Sequence, residues 1–425
     1  MERIKKKRRG NKNKKVGGLN SSFFVAVVIL FVLFLYSLGM SGVSYNLRQL
    51  AGLFYAETIT PEGLKESYKE RPLRVVIVPG HDNVSKGSHF RGLNESDLNI
   101  ELAYKLLEIL SLDPKFHVWV SREQDGEYAD WFRKYKEENQ DDINTFIKER
   151  RSVWNDAANL GFVDRHVAVE RSDAPSRVAF DLYAMNKYAA ENEIDVLLHI
   201  HWNDYAGRKG NTSGKYSGFS IYVPEYQMPN SRASIALAEA LRDRLSQFFA
   251  KSNMPLEEGT IIEDQELIAV GSNASQKKAS ILIEYGYIYE SQFLDKELRS
   301  LILSELAHQT YFGILDFFEE GRKPDGRLGA LLPYEWKGSI PQNARDSKDV
   351  LSMQVAMAKE GVYPPSGKTL TDCPISGNFG PCTKTALAKF QEKHGSKILS
   401  PLNLVNGTGV VGDMTILVLN ELYGR

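Results

Sequence analysis

The chain has 425 residues, enough for two or more domains, and its 42% hydrophobic and 25% charged fractions are those of ordinary globular protein. The net charge of −1 hides an asymmetry: residues 1–15 carry nine Lys or Arg and one Glu, which leaves the remainder acidic by about nine charges. No basic surface remains outside that tail, so a nucleic-acid partner is excluded.

In chain order, residues 1–21 form a basic tail, and residues 23–40 follow as 18 residues without a charge, interrupted only by Ser37 and Gly39. As a helix this run would span roughly 27 Å, close to the ~30 Å core of a bilayer. We therefore expect a membrane anchor over 22–42. The Lys and Arg stay cytoplasmic and everything after it lies outside the cytoplasm. A signal peptide cut within Ser41-Gly42-Val43-Ser44 is the alternative. The basic region is long for one and no Ala-x-Ala site is present, which favours an uncleaved anchor.

A partly helical stalk is expected over 43–71, followed by an α/β pattern over 72–320. Residues 95–110 place Leu98, Leu102, Leu106 and Leu110 on one helical stripe. Further strands are expected at 115–121 and 216–223, and helices at 231–250 and 301–319. Residues 125–175 break the alternation with a charged stretch dotted with Trp131, Phe132, Tyr135, Phe146 and Trp154, read as a partly helical insertion. It is either a lid or simply a packed helical pair. Residues 321–346, rich in Gly, Pro and charge, read as a linker. Three short helices over 347–361, 382–394 and 413–423 make a small all-α module.

Three apolar runs in the α/β region each end on a residue suited to a zinc ion. They are Arg74-Val75-Val76-Ile77-Val78-Pro79-Gly80-His81, Asp195-Val196-Leu197-Leu198-His199-Ile200-His201 and Ser280-Ile281-Leu282-Ile283-Glu284. Such runs are typical of strands buried on both faces of a mainly parallel sheet. Ligands bind beyond the carboxyl ends of such strands, so His81, His201 and Glu284 are expected at one rim. A catalytic zinc takes three protein ligands and keeps one position open, with a further carboxylate to move the proton. Glu95, at the start of the leucine-striped helix, is placed to complete the ligands. His199 shares a strand face with His201 by period two, so the spacing leaves both open as ligand.

Val78-Pro79-Gly80-His81, then Gly92-Leu93-Asn94-Glu95, resembles the opening of the zinc-dependent N-acetylmuramoyl-L-alanine amidases (amidase type 3). Leu198-His199-Ile200-His201-Trp202-Asn203 resembles the family's Ser-Ile-His-Ala-Asn motif, and Ala279-Ser280-Ile281-Leu282-Ile283-Glu284-Tyr285-Gly286-Tyr287 its Pro-Ser-Val-Leu-Val-Glu-Leu-Gly-Phe motif. Ser121-Arg122, Arg177, Asn186 and the helix from Ser231 are secondary matches. The resemblance covers about 73–318. It implies Zn2+ on His81, Glu95 and His201, with Glu284 as general acid/base. His199, Asn203 and Asp82 would line or support the site. Asp82 stands where the family usually has glycine. The moderate spacing between the His201 and Glu284 motifs argues against the inhibitory helix that regulated members carry there.

The C-terminal stretch Ser376-Gly377-Asn378-Phe379-Gly380-Pro381-Cys382-Thr383, with Ala386-Leu387 and Phe390-Gln391, then Gly409-Val410-Val411-Gly412-Asp413-Met414-Thr415, resembles the three-helix peptidoglycan-binding domain (347–425). Cys373 and Cys382 are the only cysteines. Outside the cytoplasm a disulfide between them is permitted, and too few partners lie nearby for a metal site.

The sequence therefore implies an α/β fold with a mainly parallel sheet flanked by helices, one transmembrane helix before it and a three-helix domain after it. The expected activity is hydrolysis of the bond between N-acetylmuramic acid and L-alanine of peptidoglycan outside the cytoplasm. An activator protein acting on the 125–175 insertion is a further expectation. The alternatives are an inactive tether between membrane and peptidoglycan, or a zinc hydrolase of another peptidoglycan amide.

Overall fold

The computed structural model of the chain describes residues 59–165, 174–270, 278–319, 321 and 329–424. The basic tail, the expected anchor over 22–42 and most of the stalk lie outside the described residues. Among the described residues no helix is long and apolar enough to cross a membrane.

Helix α1 (Pro61–Glu70) opens on Thr60, whose hydroxyl accepts from the Gly63 amide at 3.0 Å, with Pro61 in the first turn where no amide is needed. The strands and helices that follow are β1 (Leu73–Pro79), the two-residue pair β2 (His89–Phe90) and β3 (Leu93–Asn94), α2 (Glu95–Ser111), β4 (Phe116–Val120), α3 (Asp130–Glu138), α4 (Gln140–Asn159), α5 (Ser176–Glu191), β5 (Val196–Asn203), β6 (Ser220–Pro224), α6 (Ser231–Leu245), β7 (Ile261–Asp264), β8 (Ala279–Tyr287) and α7 (Lys296–Phe318).

Six strands make one sheet in the order β4-β1-β5-β8-β6-β7. It is mainly parallel; β6 runs antiparallel to β8. The apolar runs expected as strands are its central members. The pleat divides them between two layers. Val75 and Ile77 of β1, Val196, Leu198 and Ile200 of β5, and Ile281 and Ile283 of β8 face α2, α6 and α7. Val76, Val78 and Leu197 face the opposite layer, where Phe132 of α3, Ile143 of α4 and Ala184 and Met185 of α5 pack. Leu282 also lies off the first face, with Tyr222 and Ala269. His199 and His201 follow Leu197 by period two and Glu284 follows Leu282, so the layer built from α3, α4 and α5 covers the chemistry-bearing face.

Several boundaries differ from the sequence expectation. Strand β6 begins at Ser220 rather than 216, and α6 stops at Leu245. The last helix, α7, starts at Lys296, capped by the Asp295 carboxylate accepting from the Leu298 amide at 2.8 Å. The expected insertion forms two helices with a buried seam (Phe132, Ile143, Val153, Ala157). Strand β7 had no expectation, because four residues with two acids carry too little apolar signal.

Helix α7 is buried over most of its circumference rather than along one stripe. It packs against α2 and α6, and its far face continues into the C-terminal core. The described part of the linker is itself packed. Trp336 is 2% exposed, and the Leu331 amide donates to the Glu305 carboxylate at 3.0 Å.

Beyond it lie α8 (Lys348–Lys359), α9 (Pro381–Lys393), the one-turn α10 (Gly395–Ile398) and α11 (Asp413–Tyr423). Two buried glutamines organise this module in the same way. Gln354 accepts from the Ser376 and Gly377 amides, both at 3.0 Å, and donates to the Thr383 hydroxyl at 2.9 Å. Gln391 accepts from the Thr408 and Gly409 amides at 2.8 and 2.9 Å and donates to the Thr415 hydroxyl at 3.0 Å. Each ties a glycine turn to the start of the next helix. Cys373 and Cys382 form a disulfide.

Candidate active site

The strand ends bring three donors together. Ligand atoms of His81, Glu95 and His201 all lie within 4.8 Å of one another. One carboxylate oxygen of Glu95, Oε1, meets both rings: His201 Nδ1 at 2.9 Å and His81 Nε2 at 3.1 Å. The Trp202 amide also donates to Oε1, while the Ser88 amide and hydroxyl hold Oε2 at 2.9 and 3.0 Å. Glu95 is thus fixed from four directions while 4% exposed. Burial alone would raise its carboxyl; the hydrogen bonds and charge of His201 and His81 reverse this and hold it well below the usual carboxylate range. Burial opposes charge on His81 too, but the Glu95 carboxylate wins and keeps its pKa above the ordinary value. Two imidazoles turned on one buried carboxylate call for a positive species between them, whether a proton or a metal ion.

Backbone geometry at two glycines makes this cradle possible. A Cβ on Gly80 would sit 2.2 Å from His201 ring atoms, and one on Gly87 would sit 2.4 Å from Glu95 Oε2 and 2.6 Å from the His81 ring. His81 itself adopts a left-handed backbone, φ 62°, which costs a non-glycine residue about 1–3 kcal/mol and turns its ring towards Glu95. Asn99 locks the turn by donating to the Gly80 carbonyl at 2.9 Å.

Glu284 lies beside His201 in the register between β5 and β8 and is 8% exposed. His199 is 1% exposed, and burial pushes its pKa down to about 3, so its imidazole is uncharged. Asp82 accepts from the Val84 amide at 2.9 Å, and its other oxygen pairs with Arg177 of α5. Burial resists ionisation of Asp82, but Arg177 and the loop amides lower its pKa. Asp82 therefore ties the loop that follows His81 to α5. Asn203 lines the same cleft, and its side-chain amide donates to the buried Glu257 at 2.7 Å.

These residues open into a cleft of about 640 Å³, lined by the triad, Glu284 and His199, and walled by Tyr128, Phe132, Leu182 and Met185. Sequence reasoning missed Gly87, Ser88 and the cleft-facing role of Phe132. The spacing Gly87-Ser88 seven residues before Glu95 was the available signal.

An α/β sheet with a His-Glu-His donor set at its strand ends and a further carboxylate alongside is the framework of a hydrolase that activates water. Residues 75–315, more than half the chain, match the N-acetylmuramoyl-L-alanine amidase (Amidase_3) family. The chain belongs to that family, and its reaction is hydrolysis of the amide between N-acetylmuramic acid and L-alanine in peptidoglycan.

Among solved structures, an N-acetylmuramoyl-L-alanine amidase from Clostridium difficile 630 is 19% identical, covering 59% of this chain and 99% of its own, with a TM-score of 0.37. The catalytic domain of CwlV from Bacillus (Paenibacillus) polymyxa var. colistinus is 17% identical, covering 58% and 98%, with a TM-score of 0.36. Apo Ami1 from Mycobacterium abscessus is 14% identical, covering 59% and 100%, with a TM-score of 0.38. No curated protein matches the sequence.

Proposed function

We propose that the chain is a zinc-dependent, membrane-anchored cell-wall amidase whose catalytic and C-terminal domains work outside the cytoplasm. The observation that carries the metal assignment is the donor set: two imidazoles and one carboxylate converge within 4.8 Å, in a cradle that two glycines keep open. That set suits zinc, which takes His nitrogen and carboxylate oxygen with one position left for water. Zinc bound there would lower the pKa of a water and polarise the lactyl carbonyl.

The chain's own residues supply the rest. Glu284, beside His201, accepts the proton of the attacking water as the new C–O bond forms. It delivers that proton to the L-alanine nitrogen as the C–N bond breaks, so the products are a free lactyl carboxylate and a free amine. Ser88 and the Trp202 amide keep Glu95 oriented. Tyr128 and Phe132 exclude water from one side of the cleft.

Anchoring rests on the uncharged run 23–40 after a basic tail. The resemblance of the three-helix module to peptidoglycan-binding domains supports a role in holding substrate close, which raises effective concentration without new catalytic contacts. The Cys373–Cys382 disulfide agrees with an oxidising location.

The test is mass spectrometry of purified peptidoglycan incubated with the zinc-loaded full chain. Stem peptides beginning with a free L-alanine amine support the reading. Cleavage at another amide reassigns the substrate, and intact peptidoglycan despite bound zinc sinks it.

A further inference from the structure

We propose that Arg122 is a specificity-determining residue. It receives the free α-carboxylate of the second stem-peptide residue, D-glutamate, and disfavours stems in which that carboxylate is amidated; this rests on the amidase reading. Arg122 follows the edge strand β4 and stands, 5% exposed, in the wall of the cleft. Its Nε donates to the Pro79 carbonyl at 3.2 Å and its Nη1 to the Gly126 carbonyl at 3.4 Å. The guanidinium lies over the Tyr128 ring, 4.1 Å from the centroid. The Tyr128 hydroxyl is a further polar neighbour and itself donates to Asp181 at 2.8 Å.

All of these neighbours are neutral, and no acid among the described residues forms an ion pair with Arg122. The other acids on that side are already matched: Asp82 by Arg177, Asp181 by Lys136 and Asp204 by Arg208. Arg122 is the one arginine or lysine among the described residues that line the cleft. A guanidinium carries five donors, and two carbonyls with one hydroxyl take at most three. None of its nitrogens is both sealed from solvent and unbonded, so the spare donors open on the cleft. A largely buried cation without a counter-ion suits an anionic occupant, and two spare N–H groups are what one carboxylate accepts from an arginine fork.

Reach selects the anion. The strand order β4-β1-β5-β8 sets Arg122, His81, His201 and Glu284 in that sequence along the rim. Strands β4 and β5 are two spacings apart, about 10 Å, and the bond to Pro79 carries the guanidinium over β1. The sugar bears no charge beside the lactyl ether, and a diamino acid at the third stem position would bring a like charge. D-glutamate is linked onward through its γ-carboxyl, which leaves its α-carboxylate two residues from the scissile carbonyl, roughly 7 Å in an extended chain. It is the stem's first anion and the one that spans this gap.

An internal competition on the zinc-loaded full chain tests it. N-acetylmuramoyl-L-alanyl-D-isoglutamate and its D-isoglutamine counterpart are mixed, and the ratio of their kcat/KM values is read from the two released dipeptides by mass spectrometry. The unsubstituted chain should favour the carboxylate about 10–100-fold. Arg122→Gln should bring the ratio close to one, and Arg122→Lys, which keeps the charge without the fork, should give an intermediate ratio. A ratio near one in the unsubstituted chain overturns the subsite, whether or not the variants fold. So does a ratio in Arg122→Gln that stays at the unsubstituted level while both rates fall, the mark of a purely structural arginine. If Arg122→Gln does not fold, Arg122→Lys carries the same comparison. Absence of free L-alanine amine from both peptides sinks the amidase reading and the subsite with it, whereas hydrolysis of both without preference sinks the subsite alone.

Discussion

His201 and Glu284 are direct neighbours across the parallel pairing of β5 with β8, although 83 positions separate them in the chain. Parallel pairing puts both side chains on one face of the sheet, so a donor of the triad and a carboxylate outside it share a wall of the cleft.

On the proposed reading, that arrangement separates metal binding from proton transfer. Glu284→Gln keeps the shape and leaves His81, Glu95 and His201 intact. We expect zinc content by atomic absorption to stay at the unsubstituted level while kcat on muramoyl peptides falls roughly 10²–10⁴-fold. Loss of zinc together with activity would place Glu284 among the ligands instead.

Gly80→Ala tests the cradle without touching a donor. The added Cβ would fall 2.2 Å from the His201 ring, so the imidazole must move. Displacing a ligand in this way should weaken zinc affinity about 10–100-fold, the range seen when a supporting group is lost. Gly338→Ala, where the new atom meets nothing within 4 Å, is the matched control and should bind zinc normally.

The rim was legible because strands buried on both faces appear as unbroken apolar runs, and such strands end at a common edge. The Leu98–Leu110 stripe placed Glu95 for the same kind of reason. What could not be read was set by contacts distant in sequence. Asn203 closes the motif and lines the cleft, yet its amide is held by Glu257, more than fifty residues further on. Gln354 and Gln391 look like ordinary helix residues until the turns they hold are in view. The insertion is charged and aromatic in sequence, and only the sheet face it covers shows why Phe132 and Ile143 are apolar.

The pairing of Glu95 with His81 gives pH dependence of a definite sign. His81 is raised above its ordinary 6.5, so its contribution to the metal-stripped protein is full below 6.5 and is lost as pH rises through the raised value. Glu95 is lowered from 4.5, so its contribution is present above 4.5 and lost as pH falls through the depressed value. Zinc needs His81 without its proton, so affinity should climb with pH until the raised value is passed. Melting curves of chelator-treated and zinc-loaded protein from about pH 5 to about pH 9 should therefore diverge, with the zinc-dependent gain in Tm growing as pH rises. A gain of constant size across that range would mean that no shared proton is displaced.

Phe132 decides whether the insertion is wall or lid. Its ring is 1% exposed, packs in one cluster with Val76, Val78, Ile143, Ala184 and Met185, and also faces the cleft. A wall that is part of the core cannot be removed without cost. Phe132→Ala should destabilise the protein by about 3–5 kcal/mol, and in the folded fraction should raise KM more than it lowers kcat. Deleting residues 128–161 would strip one sheet face of its cover, and aggregation is the expected outcome. A lid held closed until a partner displaces it behaves oppositely, since opening it would raise basal turnover at little cost in Tm. Denaturant melts read beside turnover of a soluble muramoyl peptide distinguish the two, and faster turnover from Phe132→Ala with an unchanged melt would overturn the wall.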